Sequence, residues 1–183
     1  MKLIKKLGLV LLAITSFAAN AQTDKATTAR IVEAKNFKFV ATSALPLNFT
    51  DVSKVLSRMP GNVGAGGTID LSGAQYDLAI KPDTVKAYLP FYGRAFTADL
   101  NPNDSGYKFS SKDFAYSTSK RKKGGWNVLI NTKDVRNNAR MNLTISENGY
   151  AVLSVVSNNK QSITYNGYIS EIKEPARSEN ELD

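Results

Sequence analysis

Apolar and polar residues alternate with a period of two through most of the chain from Thr68 onward. Tyr76, Leu78 and Ile80 share one face of the segment 75–80, and Val85, Ala87 and Leu89 share one face of 84–89. Trp126, Val128 and Ile130 repeat the pattern, as do Met141, Leu143 and Ile145. Successive side chains of a strand point to opposite sides of its sheet, so this period predicts strands with one buried face. Phe37 and Phe39 around Lys38 predict another strand over 36–42. The segments 107–110, 113–119, 150–156 and 161–170 complete the set, with a short piece over 94–98.

Turn chemistry separates these runs. Lys81-Pro82-Asp83, NPNDSG at 101–106, KRKKGG at 120–125 and the segment 157–160 all interrupt the alternation. Asn148-Gly149 is the strongest hairpin signal and predicts a type I′ turn. Helical spacing occurs in two places. Ala26, Ala29 and Val32 give a weak stripe within 24–34, and Thr50 is placed to cap a helix carrying Val52, Val55, Leu56 and Met59, stopped by Pro60-Gly61. GNVGAGG at 61–67 lacks the lysine and hydroxyl residue of a phosphate loop and reads as a loop or strand lead-in.

About nine strands with short connections and no βαβ alternation predict an all-β fold with a short N-terminal helix. The expected architecture is an antiparallel meander, forming a lipocalin-like barrel or a strongly curved sheet. The predicted organisation is a helical lead over 22–35, one β domain over 36–170 and a flexible charged tail over 171–183.

The first 21 residues stand apart. Lys2, Lys5 and Lys6 precede an apolar run from Leu7 to Phe17, and Ala19-Asn20-Ala21 forms an A-x-A cleavage site. The run is short for a membrane span. It predicts a cleaved signal peptide, a mature chain starting near Gln22, and a periplasmic or extracellular protein with no stable membrane span. An uncleaved N-terminal anchor is the alternative. The segment holds three of the 24 basic residues and none of the 16 acidic ones, so the remainder carries +5 rather than +8. That modest excess does not predict a nucleic-acid partner.

The chain has no Cys and no His. Disulfides and thiolate chemistry are therefore excluded, together with the commonest general base and transition-metal ligand. No nucleophile–base constellation is visible, so the chain is not expected to be an enzyme or to need a cofactor. Asp113, Asp134 and Glu147 are scattered carboxylates that no spacing brings together as a glycosidase pair. Asp99, Asn101 and Asn103 resemble the start of a calcium loop, but Asp104 stands where glycine is needed and Ser110 where a bidentate Glu is needed. An outer-membrane barrel is disfavoured by the breaks at Pro90 and Gly93 and by the charged tail.

The blocks YDLAIKPDTVKAYLPFYGRAF, GGWNVLI and LTISENGYAVLSVVSNNKQSITYNGYI carry a resemblance across nearly the whole mature chain. They resemble secreted Bacteroidota proteins of domain-of-unknown-function family 4251. The resemblance implies export and a β-rich, lipocalin-like fold; it brings no activity and no site residues.

Two candidate sites remain. In AYLPFYGRAF (87–96), Pro90 and Gly93 bend a strand. Its aromatic residues either fill a core corner or line a barrel mouth. On the second reading Tyr88, Tyr92, Arg94 and Phe96 bind a small apolar or anionic ligand, with Arg94 as the anchor. Lys120, Arg121, Lys122 and Lys123 form either a solvated hairpin tip or an anion-contacting knob. The functional expectation is an exported, non-enzymatic binding module with a barrel-type cavity. The alternative is a cell-envelope interaction protein without a pocket.

Overall fold

A computed structural model describes residues 23–56, 67–97, 106–135 and 138–172. The signal segment, the Pro60-Gly61 stop, GNVGAGG up to residue 66, most of the calcium-like loop and the tail beyond 172 lie outside the described residues.

The first helix, α1 (Lys25–Glu33), is capped by Asp24, whose carboxylate accepts hydrogen bonds from the amides of Ala26 and Thr27. It ends where Lys35 turns left-handed at φ 52° and the amides of Lys35 and Asn36 reach back to Val32 and Ile31. Its buried face is Thr28, Ile31 and Val32; Ala26, placed on the expected stripe, is exposed. Then come β1 (Phe37–Pro46), α2 (Phe49–Leu56), β2 (Ile69–Asp70), β3 (Asp77–Ile80) and β4 (Val85–Pro90). The remainder is β5 (Gly106–Ser111), β6 (Phe114–Lys120), β7 (Trp126–Thr132), β8 (Arg140–Ile145), β9 (Tyr150–Val156) and β10 (Ile163–Glu171).

All pairings are antiparallel, and the sheet order is β5-β4-β3-β1-β10-β9-β8-β7-β6, with β2 on β1. Most neighbours along the chain are neighbours in the sheet, with β2–β3 and β5–β6 the exceptions, and the first and last strands pair with each other. The sheet is thus a nearly closed barrel, and among the described residues its unpaired seam lies between β5 and β6. Those two strands are consecutive, so the chain itself crosses the seam at Lys112 and Asp113.

The β1–β10 ladder runs nearly the full length of both strands, with a bulge at Thr42 between the pairs Ala41–Gly167 and Ser43–Asn166. The bulge bends β1, so that its other edge serves β3 through Phe37 to Val40 and then β2 through Ser43 and Ala44. At Gly167 the strands approach so closely that a Cβ would collide with the Val40 carbonyl oxygen.

The alternating residues within the strands point inward as expected, but Tyr76, expected on the face of Leu78 and Ile80, precedes β3, is half-buried and stacks on the outward Tyr88. Phe37, Phe39, Leu78, Ile80, Val128, Ile130, Leu143, Leu153 and Tyr165 are fully buried. Each such apolar side chain contributes about 1.5–3 kcal/mol. Ile31 and Val32 of α1 close the barrel end at Phe37 and Glu171, where Arg30 pairs with Glu171 at 2.9 Å. The interior is therefore a packed core.

Two local expectations are corrected. The segment expected as a strand over 94–98 is described as far as residue 97, and that part is not a strand: it makes a single bridge, Ala95 to Lys160. The Asn148-Gly149 turn is not type I′, because Asn148 keeps a negative φ and only Gly149, at 79°, is left-handed. The amide of Gly149 donates to the Ser146 carbonyl and that of Ser146 to Tyr150, which makes a three-residue loop ending in a left-handed glycine.

The seam is held at its corner by Asp134. Its carboxylate accepts from the Ser111 hydroxyl at 2.5 Å and from the amides of Lys112 and Asp113 at 2.8 and 3.1 Å. Those donors favour the charged form and lower its pKa from 3.8 to about 2. The stabilisation is complete above the unfolded value near 3.8 and is lost as pH falls through about 2. Asp134→Asn should lower the urea midpoint at pH 7, and the deficit relative to wild type should shrink between pH 4 and 2. A deficit independent of pH would show that the carboxylate charge does not hold the corner.

Candidate functional site

The stretch 87–96 divides at Pro90. Before it, strand alternation points Ala87 and Leu89 inward and leaves Tyr88 outside, 46% exposed. Tyr88 stacks on Tyr76 at 5.6 Å between ring centroids, and the Lys108 ammonium sits 5.3 Å from its ring. Beyond Pro90 the chain leaves the sheet and crosses the mouth of the barrel. The Pro90 carbonyl accepts from the buried Tyr165 hydroxyl of β10 at 2.5 Å. Burial raises the pKa of this phenol, which keeps it protonated and able to donate.

The crossing segment then docks on the β9–β10 connection. The amide of Arg94 donates to the Gln161 side chain, the amide of Gln161 to the Arg94 carbonyl, and the amide of Phe96 to the Asn159 carbonyl. Phe91 packs edge-on against Tyr107 at 6.0 Å. Lys160, only 5% exposed, lies within 5.6 Å of both ring centroids and donates to the Gly106 carbonyl at 3.0 Å. Its ammonium faces the two rings in cation–π geometry. Gly93 is required here, because a Cβ would press on the Phe91 ring at 2.9 Å. The Tyr107 hydroxyl is buried beside Ser157 and has no partner in bonding geometry among the described residues.

On the other side of the mouth, two residues separate the end of β1 from the start of α2. Its first turn brings Asp51 to Arg94, Oδ2 to Nη2 at 2.9 Å, with the Arg94 side chain 69% exposed. Between α2 and the crossing segment lies a cleft of about 330 Å³, lined by Asn48, Asp51, Val52, Tyr92, Arg94 and Gln161. Val52 and Tyr92 are half-buried and make its apolar wall. Burial raises the Tyr92 pKa, so its phenol stays neutral.

The structure brings Tyr92 and Arg94 together at this cleft. It does not bring Tyr88 or Phe96 there: Tyr88 faces the outer surface and Phe96, 68% exposed, lies beyond the bridge. Asn48, Asp51 and Gln161 were not singled out in the sequence, and Val52 was named there only as a helix position. They lie far from Arg94 along the chain, and no local spacing signals their meeting. Lys120, Arg121, Lys122 and Lys123 are all exposed on the β6–β7 hairpin, shaped by Gly124 and Gly125 at φ 84° and 83°. The scattered carboxylates have separate tasks. Asp134 holds the seam, Asp113 lies 3.7 Å from Lys133, and Glu147 pairs with Lys25 at 2.9 Å. Among the described residues no three carboxylates form a cluster fit for a metal ion, and no helix is long and apolar enough to cross a membrane.

A family profile described as "Domain of unknown function (DUF4251)" matches residues 19–169. The chain belongs to the DUF4251 family. A crystal structure of a DUF4251 family protein from Bacteroides eggerthii DSM 20697 is similar to this DUF4251 chain with a TM-score of 0.53. The two are 14% identical over 80% of this chain and 87% of that one, a likeness of fold alone. No curated protein matches this DUF4251 member.

Proposed function

We propose that this DUF4251 protein is an exported, non-enzymatic binding module that takes a small ligand at the rim of its barrel. The ligand has an apolar body and one anionic group. The observation that carries this reading is the cleft between α2 and the crossing segment, walled by Val52 and Tyr92 and edged by Arg94. Apolar walls with a single oriented cation suit such an amphipathic molecule. The packed core directs the ligand to the rim rather than into a lipocalin-type interior. Asp51 occupies Arg94 in the free protein and would yield it to a ligand carboxylate or sulfonate. Export rests on the lysine-led apolar segment and its A-x-A site.

Anilinonaphthalene sulfonate is a suitable probe. Wild type should bind one equivalent saturably, Arg94→Ala should weaken binding about 3–10-fold, and Asp51→Ala should strengthen it. The factor is modest because the Arg94 side chain is largely exposed. Equal affinity in all three proteins, or no saturable site, contradicts the reading.

The exposed Lys120, Arg121, Lys122 and Lys123 favour a second reading, an envelope interaction protein that contacts an acidic partner through this tip. Such contacts weaken with salt. Replacing all four by Gln should abolish retention on heparin at low salt. Retention unchanged by the replacement argues against it.

A further inference from the structure

The outer face of the barrel carries a second concave surface, away from the rim cleft. Register places Tyr150, Tyr168, Val40, Asp77 and Tyr88 directly opposite one another across β9, β10, β1, β3 and β4. At about 4.8 Å per strand this row spans about 19 Å. Its middle is a groove of about 480 Å³ lined by Lys38, Gln75, Tyr76, Asp77, Tyr168 and Ser170, with Val40 on its floor.

The lining has an unusual composition for a solvated strand face. Tyr76 and Tyr168 supply aromatic surface on β3's lead-in and on β10. Between them stand a carboxylate, an ammonium, an amide and a hydroxyl. The Asp77 carboxylate is half-buried and accepts no hydrogen bond among the described residues. Burial raises its pKa, and the Lys38 charge opposes that shift. A carboxylate in this state gains from a neutral donor that replaces the water it has lost.

Several occupants fit poorly. A purely apolar ligand would bury Asp77 unpaired. A peptide adding a strand needs a free edge, yet β1 and β3, which floor the groove, are paired on both sides. A polyphosphate would face the Asp77 charge. A sugar ring meets each requirement: its C–H face stacks on a tyrosine, and its rim of hydroxyls both donates and accepts. We propose that this outer groove is a binding site for a polysaccharide chain, with Tyr76 and Tyr168 stacking on sugar rings and Asp77, Lys38 and Gln75 bonding their hydroxyls.

The test is affinity electrophoresis of the protein in native gels containing xylan, barley β-glucan, yeast mannan or polygalacturonate. At least one polymer should retard wild type. Tyr168→Ala should weaken that retardation at least tenfold, and the near-isosteric Asp77→Asn should weaken it while keeping the wild-type melting temperature. Arg94→Ala, in the rim cleft, should bind the polymer as wild type does, which separates this site from the one proposed above. No retardation in any of the four polymers overturns the proposal. So does retardation that both Tyr168→Ala and Asp77→Asn leave unchanged.

Discussion

Nine residue pairs join β1 to β10, and this ladder decides how the other strands can be arranged. It turns a meander into a nearly closed barrel. Closure by the first and last strands moves the open seam into the middle of the chain, between β5 and β6. A seam there is inexpensive, because a two-residue connection already ties its two sides and Asp134 satisfies the amides that turn the corner. The bulge at Thr42 lets one ten-residue strand serve β10 on one edge and two partners on the other. Gly167 lets the two backbones come close enough for the ladder to form.

Closure also decides where binding can occur. A barrel of this girth filled by Phe37, Phe39, Leu143, Leu153 and Tyr165 leaves its centre to the core. One end is plugged by Ile31 and Val32, and the other is crossed by the segment after Pro90. Concave surface is left at the rim, where α2 meets Arg94, and on the outer face along β1. Both use half-buried side chains, Val52 and Tyr92 at the rim and Tyr76 outside, that pack against the core and still present a face to solvent. This is consistent with the rule that sites are grafted on a fold rather than dictated by it.

Strand positions were legible in the sequence because a half-buried strand writes its period directly into the residue order. The same parity carries information about Tyr88: if Val85, Ala87 and Leu89 face inward, Tyr88 faces out. Grouping it with Tyr92 and Arg94 treated a run of aromatics as one cluster across a break at Pro90. Past that proline the parity no longer applies, so only the tertiary bonds to Asn159, Lys160 and Gln161 place Arg94. Asp134 reads as a stray carboxylate in the sequence, since the groups it binds lie more than 20 residues away. The outer groove was equally hidden: Tyr76 and Tyr168 lie 92 residues apart in the chain and meet only through the pairing of β3 and β10 with β1.

The central claim is that the barrel closes through β1 and β10 and opens between β5 and β6. Native-state amide hydrogen exchange tests it most directly. The account predicts that amides in the β1–β10 ladder exchange only through global unfolding, while the unpaired edges of β5 and β6 exchange orders of magnitude faster. Strong protection along both facing edges of β5 and β6, with rapid exchange in β1 and β10, would contradict it.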